Sequence, residues 1–223
     1  MNSKYTTLIN GKIITEDTIL ENSVLRIKSE YIDKIVDCNE NIEYGEVIDC
    51  AGKFIMPGLI DIHSDVVENI IVPRKGIVFS NYTALSEVDK ELASQGITTM
   101  YHSISIANST ICNRKRTLSV KQMISIGDDI FKYHKEMLIN HRFHARLELN
   151  TIEAYSLILE RLKNRVIHEL SLMNHTPGQG QYSSLEVFKV EIRKQYGDIS
   201  PKRVNEIICE CQNKPLLSQC QIQ

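Results

Sequence analysis

From residue 58 onward the chain alternates short apolar runs with longer amphipathic ones, and this alternation constrains its fold more than any other feature. Leu59-Ile60-Asp61-Ile62-His63, Ile97-Thr98-Thr99-Met100-Tyr101, Phe143 to Leu149 and Val166 to Met173 read as β-strands. Ala84 to Gln95, Thr117 to Leu138, Ile152 to Leu162, Leu185 to Gln195 and Pro201 to Gln212 carry apolar residues at helical spacing. Gly127 interrupts the second of these helices, and Gly96 stands where a helix C-cap belongs. Strands that alternate with helices of this length build right-handed βαβ units and therefore a parallel sheet. Lys214 to Ser218 is expected to begin a fifth strand.

The first fifty residues have a different rhythm. Thr6 to Ile14, Ser23 to Val36 and Glu46 to Cys50 are strand-like, with turns marked at Asn10-Gly11 and over residues 15–22, so a small antiparallel sheet is expected. The expected organisation is an N-terminal β portion over residues 1–57 and an α/β portion over residues 58–223. About 165 residues follow Gly58, whereas a closed eight-fold barrel uses about 250. Only part of such a barrel is therefore expected.

Charge excludes some partners. Lys plus Arg number 26 against 28 Asp plus Glu, a formal net charge of −2, so there is no basic field for nucleic acid. No apolar run approaches the roughly 20 residues that span a bilayer, and Met1 is not followed by the apolar core of a signal peptide. The expected compartment is the cytoplasm, with no nucleic-acid or membrane partner.

Four segments hold residues that could carry chemistry. His63 and Asp65 are two apart, so a continuing strand would turn both toward one ligand; imidazole plus carboxylate suits zinc or manganese. Read blandly, His63 is a satisfied histidine and Asp65 a helix cap. His144, Arg146 and Glu148 share one face of a strand, either as part of a site or on a solvent-facing edge strand. Asn174-His175-Thr176-Pro177-Gly178-Gln179-Gly180-Gln181 is a polar loop whose glycines would let the backbone approach a ligand; an ordinary strand-to-helix connection is the alternative. His102 ends another strand, as a packing residue or as one standing behind a ligand. P-loop, dinucleotide and nucleophile-elbow signatures are absent.

Taken together with Gly52-Lys53-Phe54-Ile55-Met56-Pro57-Gly58-Leu59-Ile60-Asp61-Ile62-His63, these segments resemble the metal-dependent amidohydrolase superfamily. His63-Ser64-Asp65, Gly96-Ile97-Thr98-Thr99-Met100-Tyr101-His102, His141-Arg142-Phe143-His144 and the loop from Asn174 to Gln181 narrow the likeness. They are similar to the phosphonate-metabolism diphosphatases of the carbon–phosphorus lyase pathway. The resemblance implies an α/β fold, a partial TIM-type (β/α) barrel of the amidohydrolase type with a small N-terminal β-sandwich portion. It implies a hydrolase that acts on an acid anhydride, converting a phosphorylated ribose phosphonate, α-D-ribose 1-methylphosphonate 5-triphosphate, to the 5-phosphate and pyrophosphate. A divalent metal ion, zinc or manganese, is the implied cofactor, with His63, Asp65, Glu148 and His175 as ligands. His102, His144, Arg146 and Gln179 are the implied substrate contacts or supports.

One departure from the family pattern stands out. Relatives of this kind carry a Ser-His-Asp-Asp run and a later aspartate that serves as general base; here Ser218 is followed by Gln219, Cys220 and Gln221. A C-terminally truncated or out-of-frame chain is therefore expected, with no catalytic base assigned and with a second copy or a missing half as its partner. Two other readings stay open. A cyclic-amide hydrolase of the same superfamily usually carries His-x-His and a carboxylated lysine, and residues 143–149 contain no lysine. The other is a non-catalytic remnant that binds metal or phosphate.

Overall fold

The computed structural model describes residues 4–39, 45–74, 76–108 and 118–222. They fall into two compact units, Met1–Gly58 and Leu59–Gln223.

The first unit is a sheet of β1 (Tyr5–Ile14), β2 (Ile19–Lys28), β3 (Tyr31–Asp37), β4 (Glu46–Asp49) and β5 (Phe54–Ile55). Its order is β3-β2-β1-β4, with β5 also paired to β1. The expected antiparallel arrangement holds for β1, β2 and β3, but β4 and β5 run parallel to β1, so the sheet is mixed. The stretch from Ser23 to Val36 is not one strand, because Ser29 adopts φ +57° and turns the chain between β2 and β3. Nor do Asn10 and Gly11 form a turn. They lie within β1, where Asn10 takes φ +55° and the pairing with β2 slips between Leu8 and Gly11, a β-bulge. A Cβ on Gly11 would stand 2.4 Å from Ile55 Cδ1, so glycine is what lets the bulge close on β5.

In the second unit β6 (Leu59–Ser64), β7 (Ile97–Ile106), β8 (Asn140–Glu148) and β9 (Glu169–Met173) form a parallel sheet in sequence order. This curled half-barrel agrees with the α/β architecture expected from the strand–helix alternation. The helices are α1 (Val66–Ile71), α2 (Asn81–Ser94), α3 (Val120–Tyr133), α4 (Tyr155–Lys163), α5 (Leu185–Tyr196), α6 (Pro201–Gln212) and the single turn α7 (Gln219–Ile222). Local signals set several ends. Ser80 caps α2 by accepting from the Thr83 N–H, and Gly96 follows that helix at φ +81°. Ser119 and Gln122 form a reciprocal capping box at the start of α3; Thr117, the expected first residue of that helix, lies outside the described residues.

The core lies between one face of the sheet and the helices. Met100, Ile104 and Ile106 of β7 and Phe143, Ala145 and Leu147 of β8 pack on Val67, Ile71, Leu85, Val88, Met123, Ile126 and Ile130. Gly127 does not interrupt α3. It makes room for Phe143, whose Cε1 would lie 2.1 Å from a Cβ at that position. A second, smaller cluster joins α5 to α6 through Phe188, Ile192, Val204, Ile207 and Ile208.

The fifth strand expected at residues 214–218 does not form. There the Leu217 N–H donates to Leu149 O at 2.8 Å, and the Leu217 side chain enters the main core. No described helix is long and apolar enough to cross a membrane.

Candidate functional site

Strand alternation separates the two faces of the sheet. On β7 and β8 the core-facing residues are Met100, Ile104, Ile106, Phe143, Ala145 and Leu147. His144, Arg146 and Glu148 are interleaved with the last three and so face the inner side of the half-barrel, in register with Ser103 and Ser105 of β7 and with Glu169, Ser171 and Met173 of β9. The solvent-facing edge strand is thereby ruled out for this row, since β8 is paired on both sides.

Each residue in the row meets another residue singled out by the sequence. The rings of His144 and His63 stand edge to face, with centroids 5.6 Å apart. Arg146 Nη1 lies 3.6 Å from Asp65 Oδ1. Glu148 receives the backbone N–H of His175 on Oε1 at 2.8 Å, and its Oε2 is 2.6 Å from His175 Nδ1. His63 and Asp65 belong to β6 and the residue after it, one strand beyond β7. They reach across because β7 presents small serines on this face. Asp65 occupies the N-cap position of α1, yet its side chain makes no capping bond. Its carboxylate turns to Arg146 instead.

His144 is held from both sides, by Ser103 Oγ 3.1 Å from Nδ1 and Ser171 Oγ 2.6 Å from Nε2. Burial pushes its pKa below the ordinary value, and the Glu169 carboxylate only partly offsets this. The ring is therefore neutral at neutral pH. In the loop after β9, Gln179 Oε1 accepts from Asn174 Nδ2 at 2.8 Å, while the Thr176 N–H donates to Asn174 Oδ1 at 3.1 Å. Gln179 thus braces the loop that carries His175. Gly178 and Gly180 at φ +94° and +50° allow that path.

His102 does not join this group. It shares the core-facing side of β7 with Met100 and Ile104, and is completely buried. Its Nε2 is 2.6 Å from His141 Nδ1, and His141 Nε2 is 3.0 Å from Asp89 Oδ1 on α2. Asp89 also accepts the N–H groups of Leu138 at 2.8 Å and Ile139 at 3.0 Å. With the carboxylate at one end, His141 donates from Nε2 and accepts from His102 at Nδ1. His102 Nδ1 is then a bare acceptor, and among the described residues it has no hydrogen-bond partner. Burial, with the His141 ring second, pushes His102 down to about 3. Of the readings open for His102, packing residue, support behind the site or substrate contact, its position in the helix layer accords with the first. Sequence reasoning missed Asp89, fifty-two positions from His141. Its one signal was an aspartate placed four after Leu85, on the apolar stripe of the helix.

The donor types on the inner face suit a hard or borderline divalent cation. They stand as separate pairs, however: among the described residues no three His, Cys, Asp or Glu side chains come together as a cation site.

No protein-family model matches the chain. The chain is 25% identical over 187 residues to the α-D-ribose 1-methylphosphonate 5-triphosphate diphosphatase of Escherichia coli K12, a match that covers 84% of this chain and 48% of that protein. It is 34% identical over 74 residues to the 5-methylthioadenosine/S-adenosylhomocysteine deaminase of Bacillus thuringiensis, covering 30% of this chain and 16% of that one. The chain therefore spans about half the length of the first relative and less of the second. Among solved structures, N-acetylglucosamine-6-phosphate deacetylase from Pasteurella multocida superposes with a TM-score of 0.51 at 16% identity, over 75% of this chain and 44% of that one. D-hydantoinase superposes with a TM-score of 0.51 at 18% identity, over 84% and 36%. The structural likenesses establish the fold, and the sequence match makes the chain a distant homologue of the E. coli diphosphatase over the matched residues.

Proposed function

We propose that the chain forms the metal- and phosphate-binding half of a hydrolase that cleaves a sugar 5-triphosphate, the class of substrate named for the E. coli relative. Water cleaves the anhydride between the first and second phosphoryl groups, leaving the sugar 5-phosphate and pyrophosphate. The observation that carries this reading is the β8 row, in which His144, Arg146 and Glu148 each meet His63, Asp65 or His175 on one face.

The residues divide the work by chemistry. His63, Asp65, Glu148 and His175 would hold a zinc or manganese ion, which when bound supplies an acidified water and neutralises phosphoryl charge. Glu148 fixes the loop of His175 through the backbone N–H as well as through the ring. Arg146 offers a planar guanidinium to phosphoryl oxygens, a fork that suits them better than a lysine would. Neutral His144, clamped by two serine hydroxyls, contributes an orientation rather than a charge.

Two measurements test the reading. Purified protein equilibrated with zinc or manganese should retain metal, and His63→Ala or His175→Ala should lower that content more than His134→Ala, since His134 sits in a 3₁₀ turn with its Nδ1 on Phe131 O. Pyrophosphate release from α-D-ribose 1-methylphosphonate 5-triphosphate should follow metal content across the variants. Equal metal in all three variants argues against the assignment. A second reading, a binding protein without turnover, draws on the separation of the donors into pairs, and metal retention with no pyrophosphate release would favour it.

A further inference from the structure

An aspartate at a helix N-cap ordinarily accepts a backbone N–H of the first turn. Asp65, at the N-cap of α1, makes no such bond. Among the described residues its carboxylate has one charged partner, Arg146, whose Nη1 stands 3.6 Å from Oδ1. That separation is too long for a hydrogen bond. Arg161 shows what a fixed pair in the same unit looks like: its Nε and Nη2 donate to the two oxygens of Asp128 at 3.0 and 2.9 Å. Arg146 and Asp65 are therefore held by charge, and the guanidinium keeps its N–H groups uncommitted. The two side chains are 24% and 53% exposed, so ions in solution reach the pair. Ser105 and Ser171 flank Arg146 in register on the neighbouring strands, and such short side chains leave the guanidinium room to move.

We propose that Arg146 and a divalent cation compete for Asp65, so that metal loading passes the guanidinium from Asp65 to a phosphoryl group and orders binding, cation first and polyphosphate second. The inference rests on reading this face as a metal- and phosphate-binding site. While the pair is intact, Asp65 neutralises Arg146 toward anions and repels them itself. A divalent cation brings twice the charge of a guanidinium and bonds the carboxylate directly, so it prevails in the exchange. The released guanidinium then offers its planar fork to phosphoryl oxygens. One carboxylate thus serves both as a ligand and as a lock on the anion-binding arginine. A polyphosphate that arrives before the cation finds Arg146 already paired. By linkage, whatever weakens the hold of Arg146 on Asp65 strengthens the hold of the cation.

Isothermal titration of the full 223-residue chain, stripped of metal and dialysed, tests both sides of the exchange. Arg146→Gln removes the competitor and should bind manganese about two- to fivefold tighter than the wild type, the strength of an exposed ion pair. In an Asp65→Asn background the same substitution should gain nothing, whereas a general loss of positive charge would act in either background. Inorganic pyrophosphate, titrated without metal, reads the other side. Asp65→Asn frees Arg146 and should bind pyrophosphate about two- to fivefold tighter than the wild type. Combining Asp65→Asn with Arg146→Gln should abolish that gain. Manganese affinity in Arg146→Gln equal to or below that of the wild type overturns the proposal while the metal site stands. So does a manganese gain that persists in the Asp65→Asn background, or a pyrophosphate affinity that Asp65→Asn leaves unchanged. A wild type that binds no manganese rejects the metal site itself, and the competition with it.

Discussion

Replacing Asp89 with alanine tests whether the buried Asp89–His141–His102 chain holds the second unit together. Asp89 is 4% exposed and takes hydrogen bonds from Leu138 N–H, Ile139 N–H and His141 Nε2. It thereby ties the middle of α2 to the chain entering β8. Alanine removes one acceptor group and strands three donors, two of them backbone amides. A buried donor left without a partner costs about 1–3 kcal/mol, and a small cavity admits some water, so a loss of roughly 3–6 kcal/mol follows. Against a typical domain stability of about 5–15 kcal/mol, that loss is large enough to threaten folding. Asp89→Asn is the graded version, because its carboxamide oxygen can still accept from the two backbone groups while the charge is gone; about half the loss is expected. Urea unfolding followed by circular dichroism, at 25 °C and pH 7, measures both. A loss under about 1 kcal/mol for alanine, at an unchanged denaturant slope, would refute the reasoning.

Two further outcomes follow from the same core. Gly127→Ala places a methyl against the buried Phe143 ring, with no gap to receive it. It should destabilise by about 1–3 kcal/mol in urea unfolding despite alanine's better helix propensity, and adding Phe143→Leu should recover part of that loss. Acid should weaken the fold. The unfolded chain protonates His102 near its ordinary 6.5, whereas the folded chain does so only near 3, so stability falls as pH drops from about 6.5 toward 3. Burial depresses His141 as well, with Asp89 opposing it. Each such group contributes a slope of at most about 1.4 kcal/mol per pH unit. His102→Gln should flatten the pH profile of stability between pH 4 and 6, and an unchanged profile would contradict the burial argument.

The sequence made the inner-face row legible because alternation in a strand is a purely local rule. His144, Arg146 and Glu148 sit at i, i+2 and i+4 between apolar residues, and the pleat sends them to one side wherever the strand lies. The same rule applied to β7 puts His102 with Met100 and Ile104, but which side of β7 faces the helices depends on its neighbours. The alternatives for His102 therefore stayed open in the sequence, and Asp89 was overlooked because the fold brings Leu138, Ile139 and His141 to it from some fifty positions away. The helix α1 (Val66–Ile71), too short to show a helical period, also went unread. In the first unit, Asn10-Gly11 carries the composition of a turn and serves as a bulge, since a positive φ meets either need.

Local chemistry, then, determined the elements: where helices are capped, where strands alternate, and which polar residues share a face. Tertiary structure decided the rest. It chose the inner side of the sheet for the ionisable row, brought His63 and Asp65 across the serines of β7, and set Glu148 under the loop of His175. It also turned residues 214–218 away from the edge of β9, because burying Leu217 in the core gives that segment an apolar contact that its local sequence does not specify. Periodicity acts between residues a few positions apart. Pairing and burial join residues twenty to eighty positions apart, and no local pattern encodes that choice.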